Sequence, residues 1–342
     1  MLPDFSRPSK LSITRLNRVR AESVNWLWDS RIPLGKLTLI SGDPGVGKSF
    51  LTLDIAAHVS KGNDWPDNTK SPVGNVILFS AEDGVNDTIR PRLDKLDADL
   101  AHIHFANATL FDDGIEIGVS LDKHLTALED AIKQHDASLL VLDPLLAFIG
   151  KRTDSHVTAD VRALMSPIAA LADRTSCAIL GVGHLNKNSK ETKTLYRLTA
   201  SVDFPAATRS VFVVGKNPSN PDQRVLASVK SNLSAPPSSL AFHFTDDGSF
   251  IWDGKVDIDA DSMLATADIR GPRARDEARA FLRNILKDGR VRSNEVIQEA
   301  KQLGISEKTL RRAKDDEDIE VVRVGENGSH GGGVWWWNLP TV

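Results

Sequence analysis

From Trp26 to about Gly215, short apolar runs alternate with stretches whose apolar residues recur at helical spacing. The runs cover residues 37–41, 76–80, 103–106, 139–143, 178–184 and 210–215. The intervening segments 49–60, 86–96, 121–134 and 157–174 read as helices. Strands alternating with helices predict an α/β fold, a mostly parallel twisted sheet with helices on both faces. Between Arg224 and Trp252 the rhythm becomes VLASVKSN, LAFHF and then Asp247-Gly248 before SFIW. Strands joined by such tight turns are antiparallel and extend the same sheet.

Outside this core, expected over 25–254, the pattern is different. Residues 1–24 are polar and basic, contain Pro3 and Pro8, and read as a loose arm. Residues 255–273 are rich in Asp, contain Gly271-Pro272, and read as an acidic linker. A compact second unit is expected over 274–342. Its helices fit 276–286, 294–303 and 307–314, with a break at Gly304 and Ser306 as N-cap of the third. Strands over 319–324 and 334–339, joined by a Gly-rich tip, complete a hairpin. Three helices and a β-hairpin make a small winged-helix arrangement.

Composition narrows the function classes. At 342 residues the chain suits about two domains of ~150 residues. A net charge of −4 excludes a wholesale positive coat for nucleic acid but permits a local basic patch. Hydrophobic content of 41% with 26% charged residues excludes disorder of the whole chain. Cys177 is the one cysteine, so neither a disulfide framework nor a thiolate zinc cluster is expected. The N-terminus has no apolar signal region. The most apolar run, 137–149, is broken by Asp143 and Pro144 and falls short of the ~20 residues of a membrane span. A soluble, cytoplasmic protein is expected.

The sharpest chemical signal is Gly42-Asp43-Pro44-Gly45-Val46-Gly47-Lys48-Ser49, a G-x-x-x-x-G-K-S motif between an apolar strand and a helix. Its glycines let consecutive N–H groups curl toward phosphate oxygens, and the helix N-terminus adds its dipole. Lys48 would reach the β- and γ-phosphates of ATP, and the Ser49 hydroxyl would ligate Mg²⁺. Asp143 ends an apolar strand and suits a Mg²⁺-bound water. Glu82, after the strand over 76–80, is the candidate for polarising the attacking water from a partly dry cleft. His184 ends a third strand, where a polar group could sense the γ-phosphate.

These residues, with the segments WLWDSRIPLGKLTLISGDPGVGKS, ILFSAEDG, LLVLDPLLAF and AILGVGHLNK, resemble the RecA-like ATPases. Within them the chain is most similar to the RepA-type hexameric replicative helicases of plasmids, phages and mobile elements. The resemblance covers about residues 24–252 and rests on a glutamate on the strand next to the P-loop strand, then Asp143, then His-Asn-Lys. It implies that Lys48 and Ser49 bind nucleotide, Glu82 is the catalytic carboxylate, Asp143 the Walker B acid and His184 the γ-phosphate sensor. It also implies a site shared between subunits of a homohexamer and completed by a neighbour's arginine, matched here by Arg209. Arg92 and Lys230 are lesser candidates for contacts across that interface. Where relatives carry a Gly-Ser pair, this chain reads Thr199-Ala200-Ser201-Val202.

The resemblance places two loops in a central channel that grips single-stranded DNA. One follows Asp143. The other follows His184 and carries Lys187, Lys190, Lys193 and Arg197 against one acid, Glu191. Point charges of this kind suit backbone tracking without sequence choice. In the second unit, residues 270–292 hold eight Lys/Arg against three Asp/Glu. Its third helix exposes Lys308, Arg311, Arg312 and Lys314 as a recognition helix would, with Thr309 and Leu310 on the inner side. Duplex DNA, single strands or a replication protein are the candidate partners. Trp335, Trp336 and Trp337 would either stack on bases or pack alternately against the helices. A DNA motor is therefore the leading reading, with a RecA-like recombination mediator or a regulatory ATPase that switches assembly state as alternatives.

Overall fold

The computed structural model describes residues 13–106, 109–112, 115–121, 123–148, 158–185, 194, 207–287, 289–303, 305–324 and 334–339. Among them, nine strands form one sheet. The P-loop strand β3 (Leu37–Gly42) follows a small hairpin, β1 (Trp26–Trp28) and β2 (Ile32–Pro33). Next come α1 (Lys48–Lys61), β4 (Asn75–Ser80), α2 (Arg90–Lys95) and β5 (Ile103–Ala106). A second hairpin, β6 (Thr109–Asp112) and β7 (Ile115–Gly118), precedes α3 (Leu125–Gln134), β8 (Ala137–Asp143), α4 (Thr158–Thr175) and β9 (Ala178–His184). The sheet then gains β10 (Ser210–Lys216), β11 (Gln223–Ser231), β12 (Ser239–Phe244) and β13 (Phe250–Val256).

Strand order is β13-β12-β11-β10-β3-β9-β8-β4-β5. The six strands from β10 to β5 run parallel, and β11, β12 and β13 continue antiparallel beyond β10. Unbroken apolar strands are needed because both faces are covered. Leu37, Leu39, Leu140 and Leu142 face α3 and α4, meeting Leu128, Ile132, Ile168 and Leu171. Ile40, Val76, Leu139 and Val141 point the other way, onto Leu51, Ile55 and Val59 of α1 and Leu93 of α2. The α/β expectation and its antiparallel extension hold.

Two expectations need correction. First, β4 is not beside β3: β9 and β8 lie between them. The crossovers carry the chain out to β4 and back, so Ser80 pairs with Asp143 rather than with the P-loop strand. Second, most of the stretch 255–273, expected as an acidic linker, is helical. After β13 the backbone enters α5 (Ala260–Ile285), whose N-cap Asp259 accepts the Ser262 N–H at 2.7 Å. Ala260, Met263 and Leu264 of its first turns are buried against the sheet core, which outweighs the acidic composition. The N-terminal residues 13–25 are mostly exposed, with one short turn at Leu16–Arg18.

At its C-terminal end α5 packs with α6 (Ser293–Gln302) and α7 (Glu307–Asp316) around Leu282, Leu286, Val296, Leu310 and Trp337. Strands β14 (Val291–Arg292), β15 (Glu320–Val324) and β16 (Val334–Asn338) form a three-stranded sheet with β16 in the middle. Ser306 caps α7 as expected, accepting the Thr309 N–H at 3.2 Å. Of the three tryptophans, Trp337 is buried while Trp335 is 49% exposed, so only one of the alternating pair packs on helices. No helix among the described residues is long and apolar enough to cross a membrane.

A buried charge anchors the entry to the sheet. Arg31 lies beside Trp28, its Nε donating to Asp67 at 3.2 Å and its Nη2 to the Ser238 carbonyl at 2.6 Å. Burial raises the Asp67 carboxyl, but donors from Thr69, Trp28 and Arg31 outweigh it and hold it below its ordinary value. Arg31 Nη1 has no partner among the described residues, so further loss at this site has no slack. Asp67→Ala should destabilise the fold by about 3 kcal/mol, because it strands a buried guanidinium. Urea unfolding followed by tryptophan fluorescence checks this, and Asp67→Asn should cost less.

Candidate functional site

Parallel register brings the motif residues to one edge. Gly42 pairs with His184 across β3 and β9, and Ser80 pairs with Asp143 across β4 and β8. All four sit at the C-terminal ends of parallel strands, where the chain turns away and leaves side chains facing a shared crevice. The loop between β3 and α1 needs its glycines for space as well as curvature. A Cβ on Gly42 would lie 2.4 Å from the Val214 carbonyl oxygen, and one on Gly47, at φ +93°, 2.8 Å from the Phe244 ring. Val46 is buried beneath the loop, whereas Pro44 and Gly45 are exposed at its tip.

Lys48 is the pivot. Its ammonium donates to the carbonyls of Gly42 at 2.9 Å and Asp43 at 2.8 Å, and lies 3.4 Å from His184 Nδ1. Only 6% of the residue is exposed. Burial lowers its pKa below the ordinary lysine value, opposed by the negative charges of Asp143, Asp43 and Glu82. Asp143 is perturbed in the opposite sense. Burial pushes its carboxyl up to about 6, with Asp83 and Glu82 adding repulsion, while a hydrogen bond from Ser49 and the charge of Lys48 pull it down. A small cavity lined by Ser49, Thr52, Ser80, Asp83 and Asp143 lies beside the Asp143 carboxylate.

Ser49 and Asp143 fit a Mg²⁺ ion on their donor chemistry, a hydroxyl and a carboxylate whose charge is under-compensated. Among the described residues no group of three or more His, Cys, Asp or Glu is arranged to hold a metal. A cation here would take its remaining positions from phosphate oxygens and water.

The carboxylates after β4 differ from expectation. Glu82 is exposed, not set in a dry cleft, because the turn after Ser80 projects it outward. Its neighbour Asp83 is the half-buried one, taking Ser80 Oγ on its N–H at 3.2 Å and pairing with Arg92 at 2.9 Å. Arg92 in turn lies over Phe50, with its guanidinium carbon 5.5 Å from the ring centre. The proximity of Asp83 was missed from the sequence, although the Ala-Glu-Asp order after an apolar strand offered both acids.

Arg209 lies at the other end of the sheet. Its N–H donates to the Leu37 carbonyl at 3.1 Å, and Ser210 pairs with Thr38. Five strand residues therefore separate it from Gly42, roughly 16 Å at ~3.3 Å per residue. Lys230 is its neighbour, donating to the Thr208 carbonyl at 2.9 Å, with a pKa lowered by burial and by Arg209. Lys308, Arg311 and Arg312 are exposed on α7. Lys187, Lys190, Lys193, Arg197 and the segment 199–202 lie outside the described residues, as does 149–157 after Asp143.

The family model for the AAA domain matches residues 3–190, more than half of the chain. The chain belongs to the AAA domain family. Curated relatives of this AAA-domain chain include three DNA repair proteins RadA. That of Halalkalibacterium halodurans is 27% identical over 178 residues, 52% of this chain and 32% of the relative. That of Streptococcus pneumoniae is 23% identical over 189 residues, 53% and 39% respectively. That of Mycobacterium tuberculosis is 24% identical over 185 residues, 54% and 32%. The chain spans about a third of the length of these relatives. Together, the AAA domain match, the strand order and the site geometry give a RecA-like P-loop ATPase core.

The half-buried Asp143 sets a pH dependence. A folded-state value of about 6 against 3.8 means the folded AAA domain holds this proton more tightly than the unfolded chain. Stability from this group therefore falls as pH rises from about 4 to about 6 and is flat above. Asp143→Asn removes that loss. Without Mg²⁺ it should be more stable than the wild type at pH 7 by about 1–3 kcal/mol, from ~1.4 kcal/mol per pKa unit. The difference should vanish near pH 4, which thermal unfolding at several pH values measures.

Proposed function

We propose that this protein is an ATP-driven DNA motor, a homohexameric helicase that couples ATP hydrolysis to translocation on single-stranded DNA. The observation that carries the reading is the division of the chemistry between the two ends of one sheet. Lys48, Ser49, Asp143 and His184 converge at one end, while Arg209 stands at the other, too far to serve its own nucleotide. A site with phosphate ligands on one edge and an arginine on the opposite edge is complete when a second copy supplies the arginine.

In this reading Lys48 holds the β- and γ-phosphates and His184, beside its ammonium, contacts the γ-phosphate. Glu82 orients the attacking water, its exposed position letting it reach a nucleotide in the crevice. Arg209 of the neighbouring copy neutralises charge on the transferring phosphoryl group, a contribution of ~10³–10⁵ in rate for such arginines. Mg²⁺ bound by Ser49 and Asp143 would supply charge neutralisation between the phosphates. The loop with Lys187, Lys190, Lys193 and Arg197 tracks the DNA backbone. A C-terminal winged-helix unit contacts DNA or a replication protein.

A second reading, a RecA-like recombination or repair ATPase, is favoured by the curated relatives, which are DNA repair proteins RadA. The two share the core and differ in assembly. Electron microscopy with single-stranded DNA and ATP distinguishes closed six-membered rings from open filaments.

Lys48→Ala should abolish ATP binding, and Glu82→Gln should bind ATP but hydrolyse it at least 100-fold more slowly. Arg209→Ala should be inactive alone. Mixed with inactive Lys48→Ala protein it should recover part of the DNA-stimulated ATPase rate, since mixed interfaces then pair an intact P-loop with an intact arginine. Absence of recovery would place Arg209 outside the shared site.

A further inference from the structure

Trp336 sits in the middle strand of the C-terminal sheet, opposite Arg292 on β14 and Val322 on β15. Cross-strand partners share a face, so these three form a row on the side of the sheet away from buried Trp337. The guanidinium carbons of Arg290 and Arg292 lie 5.2 and 5.5 Å from the Trp336 ring centre. On the opposite face, Arg323 stands over Trp335 at 5.6 Å. Core packing explains Trp337 alone. It does not explain Trp335 at 49% exposure or Val322 at 45%.

Charge distinguishes this face from helix α7. On α7, Arg311 pairs with Glu307 at 2.6 Å and Lys314 with Asp315 at 3.1 Å, and acids at 315–318 follow. At the sheet, no carboxylate among the described residues lies within ion-pair distance of Arg290 or Arg323, and Arg292 approaches Glu295 only at 4.0 Å. Glu320 is the acid that shares the Trp336 face, at the far end of the row opposite Asn338.

We propose that this sheet face, built on Trp336 with Arg290 and Arg292, binds single-stranded nucleic acid. The indole offers a flat stacking surface that tolerates any base, and the arginines bracket it with donors for flanking phosphates. A duplex keeps its bases stacked on one another and cannot offer one to the ring, which makes a single strand the fitting occupant. The proposal deepens the DNA-motor reading by moving the C-terminal contact from α7 to the sheet, and it stands without nucleotide.

The test uses the full chain, without nucleotide, and fluorescence anisotropy of labelled dT20, rU20 and a 20-base-pair duplex. Trp336→Ala should weaken single-strand binding about tenfold or more, whereas Trp336→Phe should stay within about threefold. Arg290→Gln with Arg292→Gln should weaken it and reduce the salt slope by roughly one to two. Lys308→Gln, Arg311→Gln and Arg312→Gln together should leave it unchanged. The ratio of dT20 to rU20 affinity tells DNA from RNA as the natural source. The proposal is overturned if correctly folded Trp336→Ala binds as the wild type does, if the α7 triple variant alone loses binding, or if duplex is preferred. Binding that depends on Trp336 while ATPase activity ignores DNA would sink the motor and keep the platform. ATPase stimulation with a silent Trp336→Ala would do the reverse.

Discussion

Two opposite charges at the C-terminal ends of the parallel strands, Lys48 buried and Asp143 half-buried, constrain the rest of the molecule. Lys48 loses water and gains the carbonyls of Gly42 and Asp43 with the negative charge of Asp143. Asp143 loses water too and is left under-compensated, with Asp83 and Glu82 adding repulsion. Neither group would be stable at that depth alone. Holding them there requires strand ends fixed to within a fraction of a residue. Two hydrophobic layers do this, one on α3 and α4 and the other on α1 and α2. A one-residue slip of β8 against β4 would exchange the side chains that meet the two helical layers and carry Asp143 away from Ser80.

The same logic explains what was legible in the sequence. Strands covered on both faces are apolar runs, so the segment over 178–184 coincides with β9 to the residue, and the half-buried edge strand β5 also matches 103–106. The P-loop was equally clear because its glycines answer to local sterics at Gly42 and Gly47. Small hairpins were missed. β6 and β7 flank Asp113-Gly114, a turn signal that alternation in TLFD and IEIG could have supported. The start of α5 was hidden for a different reason. Its helix begins at an Asp cap in an acidic stretch, and only burial of Met263 and Leu264 against the sheet distinguishes it from a linker.

Long-range order was the hardest to read. Sequence adjacency made β4 the neighbour of β3, but the winding of the chain places two later strands between them. The consequence is chemical. Because β4 adjoins β8, the carboxylates that follow it crowd Asp143, with Glu82 also acting on Lys48, and the Ala81 N–H bonds to the Asp143 carbonyl at 3.1 Å. Of the two acids, Asp83 is tied down by Arg92 and Ser80 while Glu82 is left at the surface. Asp83 is thereby fixed beside Asp143, while Glu82 stands exposed at the mouth of the crevice.

Sheet length separates the phosphate ligands from Arg209, and the proposed assembly rests on that separation. The phosphate ligands and Arg209 occupy opposite ends of paired strands, and no side chain spans the roughly 16 Å between Leu37 and Gly42 along an extended strand. Lys230, next to Arg209, repeats the pattern with a second cation whose burial and like-charged neighbour disfavour its charged form. Under the proposed assembly, a nucleotide phosphate held by a neighbouring copy would meet Arg209 at this end of the sheet, a contact that the strand length denies to the copy's own P-loop.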